Sequence, residues 1–335
     1  MLTVKQIKHR RGYITVENKY TLIEDRFPSK DGKSSVAYYI FEPKECSEIK
    51  GIVQISHGMC EYFLRYSPFA EYLAERGYIV CGHDHIGHGR TAACDNDLGF
   101  TSKRDAADFF IDDMYSLTKI VREKYAGIPL CVFGHSMGSF VTRNYLAKYK
   151  DAADAAVISG TAGSESPSAL AKQLAKLNML FCGERNRSKF IYGLAFGSYS
   201  KKYPKGSPKL LWLTRDKEVR ERYQQDKYCN FFFTAAAYKD LFELLSRVSK
   251  RSWANALNKD TPILLISGDM DPVGNYGKGV REVFDRLSRA GVKDITLKLY
   301  EGAHHEMLNE LCRDEVYVYL EEWLYSKLVE GKAEK

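Results

Sequence analysis

Short apolar runs rich in β-branched and aromatic residues alternate with longer stretches in which apolar residues return every three or four positions, and the alternation continues from Thr21 to Trp323. Eight runs read as strands: Thr21 to Arg26, Val36 to Glu42, Ile52 to His57, Tyr78 to Asp84, Leu130 to Gly134, Ala155 to Ser159, Pro262 to Gly268 and Ile295 to Tyr300. Strands that are apolar throughout and separated by helical patterns predict an α/β fold, a mostly parallel sheet covered by helices on both faces. Between Gly160 and about Lys250 the alternation breaks. This divides the chain into a first core segment (1–160), an insertion (161–250) and a second core segment (251–335). Within the insertion Leu170, Leu174, Leu177 and Phe181 recur at helical spacing. That stripe is expected either to face the sheet or to line a channel above the carboxyl ends of the strands.

The run Cys131-Val-Phe-Gly-His-Ser-Met-Gly138 stops in a Gly-x-Ser-x-Gly turn and is followed by a helical pattern from Ser139 to Lys148. A strand, a tight turn and a helix in this order hold one serine in a strained conformation with its hydroxyl exposed above the sheet. Ser136 is therefore the candidate nucleophile, and Gly134 and Gly138 are expected where side chains would collide. A serine hydroxyl needs an imidazole to take its proton and a carboxylate to orient that imidazole. Both follow in the order such a sheet supplies them. Pro262 to Gly268 leads into a loop with Asp269 and Asp271. Asp271 is the better candidate, since Asp269 directly follows a glycine and suits a turn. Ile295 to Tyr300 leads into His304 and His305, of which only one can face Ser136; His305 is the better candidate. The N–H of Met137, at the start of the following helix, suits an oxyanion.

These motifs, with His57-Gly-Met-Cys-Glu61, Arg65-Tyr66 and Asp84-His-Ile-Gly-His-Gly-Arg-Thr91, resemble the monoacylglycerol lipase and lysophospholipase branch of the α/β-hydrolase superfamily, which also includes proteins called serine aminopeptidases. The resemblance implies an eight-stranded α/β-hydrolase sheet with a helical cap inserted after the sixth strand. It also implies a Ser136, Asp271, His305 triad acting on carboxylic esters of lipid-like substrates through an acyl-enzyme. It places the second oxyanion donor at the backbone N–H of Met59. The chain departs from the pattern at Cys60 and Tyr62, where glycine and histidine are usual, so Cys60 is strained if its φ is positive.

Composition narrows the alternatives. The chain has 335 residues, 44% of them apolar, enough for a real core, and a net charge of +7. Much of that charge lies in the insertion, at Lys172, Lys176, Arg185, Arg187, Lys189, Lys201, Lys202, Lys205 and Lys209. With exposed apolar residues it predicts peripheral contact with an anionic membrane or micelle surface. No recognisable nucleic-acid-binding module accompanies it. The start lacks a secretory apolar run and no stretch suits a bilayer span, so a cytoplasmic protein is expected. The eight cysteines lack Cys-x-x-Cys spacing, which predicts free thiols. No cofactor is indicated. The histidines from His83 to His88 sit in a glycine-rich loop rather than at ligand spacing, and no metal is expected there. Two other readings remain. One is an aminopeptidase or amidase, which needs an acid such as Glu165, Glu184, Asp216, Glu218 or Glu221 to hold the substrate amine; the other is a noncatalytic binding protein on the same fold.

Overall fold

The computed structural model describes residues 5–9, 12–16, 19–44, 48–102, 106–164, 168–250 and 252–331. The eight expected strands form one sheet: β1 (Tyr20–Pro28), β2 (Ser35–Pro43), β3 (Gly51–Ser56), β4 (Tyr78–His83), β5 (Leu130–His135), β6 (Ala155–Ser159), β7 (Ile263–Gly268) and β8 (Ile295–Tyr300). Their spatial order is β8-β7-β6-β5-β3-β4-β2-β1. Only β2 runs antiparallel to its neighbours, β1 and β4, and the other pairs are parallel. A separate ribbon of Lys5–His9 with Gly12–Val16 precedes the sheet and was not anticipated from the sequence.

The helices outside the insertion are α1 (Ser67–Ala74), α2 (Ala107–Lys124), α3 (Met137–Lys148), α8 (Lys278–Arg289) and α9 (Arg313–Tyr325); the insertion supplies α4 (Ser168–Cys182), α5 (Lys189–Phe196), α6 (Lys217–Gln225) and α7 (Ala235–Ser249). Successive strand residues point to opposite sides, so each central strand feeds two cores. Ile52, Val132, Ile158 and Leu265 pack with Met114, Val141 and Val280 from α2, α3 and α8. Their neighbours Val53, Phe133, Val157 and Leu264 pack with Phe69, Leu73, Leu320 and Trp323 from α1 and α9. Burial on both faces is why these strands read as unbroken apolar runs.

The insertion leaves the sheet after β6 and returns before β7. Its last helix, α7, is buried along its length and is fastened to α3, where the Asn144 amide donates to Leu244 O and the Arg143 guanidinium to Val248 O. The guanidinium of Arg143 also donates to Ala162 O, so one buried side chain holds both ends of the insertion. Of the Leu170, Leu174, Leu177 and Phe181 stripe, Leu174 is half-buried and the other three are exposed, Leu170 at 63% and Phe181 at 80%, and none of the four lines the cavity at Ser136. Helix α4 instead turns Ala171 and Ala175 inward, both buried, because small side chains let it approach closely.

Around Ser136 the chain has no room for side chains where it carries glycine. A Cβ at Gly138 would lie 2.0 Å from Ser56 O, and one at Gly134 would lie 2.5 Å from Gly138 O. A backbone oxygen cannot rotate away as a side chain can. Gly138→Ala should therefore destabilise the fold by about 1–3 kcal/mol, read as a lower midpoint in urea unfolding.

Candidate active site

The carboxyl ends of β3, β5, β7 and β8 converge on one region, as the crossover connections of a parallel sheet require. Ser136 follows β5 at φ 52° and ψ −119°, a conformation that costs a non-glycine residue about 1–3 kcal/mol. It is held there by its own N–H donating to Ser159 O (3.0 Å) and by the Ser139 N–H donating to Ser136 O (2.9 Å). The hydroxyl-bearing residue is only half-buried and lines a cavity of about 600 Å³.

His305 lines the same cavity. Its Nδ1 lies 2.8 Å from Asp271 Oδ2 in a fully buried pair. Asp271 in turn accepts from Val273 N (2.8 Å) and Ser267 Oγ (3.1 Å), which fixes the carboxylate. Burial alone would lower the pKa of His305, but the Asp271 charge and hydrogen bond outweigh it and leave the imidazole above its ordinary value of 6.5. His304 points elsewhere, with its Nδ1 against Leu211 O. Asp269 does not bond its own turn; it accepts from Gly302 N (2.8 Å) and ties the loop after β7 to the loop after β8.

The loop after β3 is set by two side chains that the sequence reading did not single out for this purpose. His57 Nδ1 lies 2.8 Å from Gly58 O, and its Nε2 accepts from the His85 N–H, so the proton is on Nδ1. In a trans peptide the N–H of Met59 points opposite to the Gly58 carbonyl that His57 holds. The Gly58 N–H donates to Glu61 Oε1. Met137 is the first residue of α3, and its N–H has no acceptor within the helix. Cys60 does adopt a positive φ, 55°, and its buried thiol donates to Phe231 O. Burial pushes that thiol well up, away from thiolate chemistry.

Arg65 joins this loop to the His305 loop. Its guanidinium contacts Glu61 Oε2 (2.5 Å) and, in a two-pronged arrangement, Glu306 (2.8 and 2.7 Å). Burial raises the Glu61 carboxyl, and the Arg65 charge only partly offsets this. Beneath lie His85 and His88, whose rings are 4.3 and 5.2 Å from that of His57, and His83, whose ring is 4.7 Å from that of His85. Burial keeps these imidazoles neutral, lowering His83 to about 3 and His88 to about 4. Asp84 accepts from Phe63 N, Arg90 N and Tyr39 Oη, holding the turn after β4. The seven described cysteines are unpaired, and Cys46 lies outside the described residues.

Residues 47–312 match the family described as Serine aminopeptidase, S33. Among curated proteins, the chain is 27% identical over 301 residues to a monoacylglycerol lipase of Mycolicibacterium smegmatis, covering 89% of this chain and 95% of that one. It is 26% identical over 266 residues to the human monoglyceride lipase, covering 78% and 77%. Among solved structures it resembles a thermostable carboxyl esterase from Bacillus coagulans in complex with glycerol, with a TM-score of 0.85, 28% identity and coverage of 92% and 99%.

The His305 and Asp271 pair has a pH signature. Because the folded pKa of His305 is raised, its contribution to stability is present below the unfolded value near 6.5 and is lost as pH rises through the folded value. Asp271→Asn removes the raising charge but not the burial. NMR titration of the His305 ring should thus show a midpoint above 6.5 in the natural protein and a lower one in the variant.

Proposed function

Because the chain belongs to the serine aminopeptidase family of α/β-hydrolases, we propose that it hydrolyses carboxylic esters of lipid-like substrates such as monoacylglycerols or lysophospholipids, with Ser136 as nucleophile. The observation that carries this reading is the strained Ser136 sharing one cavity with the hydrogen-bonded His305 and Asp271. Ser136 Oγ attacks the ester carbonyl while His305 Nε2 takes its proton, and Asp271 stabilises the imidazolium that results. The carbonyl oxygen, now negative, is met by the N–H groups of Met59 and Met137. His305 then returns the proton to the leaving alcohol as the C–O bond breaks, and water repeats the sequence on the acyl-enzyme.

The cavity wall favours an acyl chain, since Phe140, Phe196, Phe231, Leu241 and Leu245 line it. The relatives named as monoacylglycerol lipases support the same class. An aminopeptidase reading needs a carboxylate open to an amine. Among the described residues the acids lining the cavity are Glu61 and Glu306, and Arg65 holds both. Of the acids in the insertion, Asp216 caps α6 and pairs with Arg313, while Glu165 lies outside the described residues. Ser136→Ala should lower turnover of p-nitrophenyl esters by more than about a thousandfold at unchanged unfolding midpoint. Retained turnover would end this mechanism, and faster cleavage of aminoacyl anilides than of esters would favour the peptidase reading.

The insertion also suits contact with a lipid surface. Leu170, Leu177, Leu180, Phe181, Phe190 and Leu194 are exposed on α4 and α5, and Lys176 and Lys189 are exposed beside them. Lys172, Arg185 and Arg187 are spent on internal contacts, with Glu243, with Asp97 and with the Leu98 carbonyl. Each basic residue near an anionic surface adds about 1 kcal/mol. The double change Leu180→Ser with Phe181→Ser should weaken sedimentation with phosphatidylserine vesicles roughly tenfold or more and leave p-nitrophenyl acetate turnover unchanged.

A further inference from the structure

The hydrogen bond from His305 to Asp271 fixes one edge of the imidazole but leaves the ring able to swing about that bond. Its plane depends on the rings packed against it. The His135 ring lies 4.6 Å away between centroids and the Trp212 indole 5.4 Å away, both tilted to it. Trp212 is itself backed by Tyr199 at 5.0 Å and Phe196 at 6.5 Å. All three aromatic residues belong to the insertion.

The main chain repeats the connection. The His305 N–H donates to Trp212 O (3.2 Å) and the Glu306 N–H to Leu213 O (2.8 Å), while the Thr214 hydroxyl donates to Asn309 O (2.8 Å). The next residue, Arg215, donates from Nε to the buried Glu310 carboxylate (2.9 Å). A segment of the insertion thus runs alongside the histidine loop and places the indole at a fixed height against the imidazole.

We propose that Trp212 is a positioning residue for His305, so that the base is correctly aimed at Ser136 only when the insertion is seated. This rests on the reading of His305 as the base. Trp212 also lines the cavity, so the test must separate aiming the base from shaping the acyl site. An acetyl ester leaves the acyl site nearly empty. The ring contact requires an aromatic face, which Phe supplies and Leu does not.

Turnover of p-nitrophenyl acetate and p-nitrophenyl decanoate is compared in the natural protein, Trp212→Leu, Trp212→Phe and His305→Ala. Trp212→Leu should lose about 10- to 100-fold in kcat on both esters, as expected for a misplaced catalytic group, and Trp212→Phe should recover most of it. Loss confined to the decanoate would reduce Trp212 to a wall of the acyl site and overturn the proposal. Activity retained by His305→Ala would overturn the base assignment and this proposal together. A second measurement does not depend on the Leu variant folding. Protonated imidazole quenches indole emission, so tryptophan fluorescence should step with pH at the midpoint of the acid limb of kcat. The step should vanish in Trp212→Phe, and its survival there would overturn the proposal.

Discussion

The left-handed turn at Ser136 is sustained by contact between backbones. Strand β5 sits at the middle of the sheet, apolar on both faces, with α3 leaving its end at an angle that brings Gly138 against the carbonyls of Ser56 and His57. No side chain mediates that approach, so it cannot relax by rotamer changes. The same closeness brings the end of β3, and with it Gly58 and Met59, next to the serine: a Cβ on Gly58 would lie 3.1 Å from that of Ser136. One steric constraint thereby arranges two of the loops that meet at the cavity.

Polar groups buried around this turn follow a consistent logic. A buried charge is tolerated where it is paired, and a buried imidazole is held neutral. Arg65 carries two carboxylates, Glu61 and Glu306, one from the loop after β3 and one adjoining His305. Asp84 is pushed up to about 6 by burial even with three donors around it. The histidines beneath the loop are lowered by the same desolvation. His305 alone among these buried imidazoles faces a fully buried carboxylate at hydrogen-bond distance, and it alone is shifted upward. Environment separates residues of one chemical type into different tasks.

Much of this was legible in the chain. The sheet was readable because strands buried on both faces leave unbroken apolar runs, and each of the eight lies within a few residues of its expected span. Gly134, Ser136 and Gly138 could be interpreted because a tight strand-to-helix turn has few sterically allowed sequences. Asp271 and His305 followed from their placement after strands. The contacts made by Trp212 and Arg65 were not legible, since they join segments about 90 and 240 residues apart, and no local pattern announces such a pairing. The Leu170 to Phe181 stripe misled for a related reason. Periodicity identifies a helix and its apolar face, but which face is covered depends on what packs against it; here Ala171 and Ala175 are covered while Leu170, Leu177 and Phe181 stay exposed. The N-terminal ribbon, Lys5–His9 with Gly12–Val16, lies outside the sheet, and the sequence of its first strand, with Lys5, Gln6, Lys8 and His9, offers no unbroken apolar run of the kind by which the other strands were recognised.

The crossing at Gly268 carries an implication for how such a scaffold diversifies. A Cβ there would lie 2.0 Å from the Ala303 carbonyl oxygen, and Asp269 binds the amide of Gly302 across the same gap. The two segments are interlocked, so neither can lengthen or tilt without dragging the other. The meeting of the loops after β7 and β8 is in this sense frozen by its own geometry. Novelty in what the molecule accepts must then be written into the helical insertion, whose anchors at Arg143 and along α7 leave its outer surface free to change.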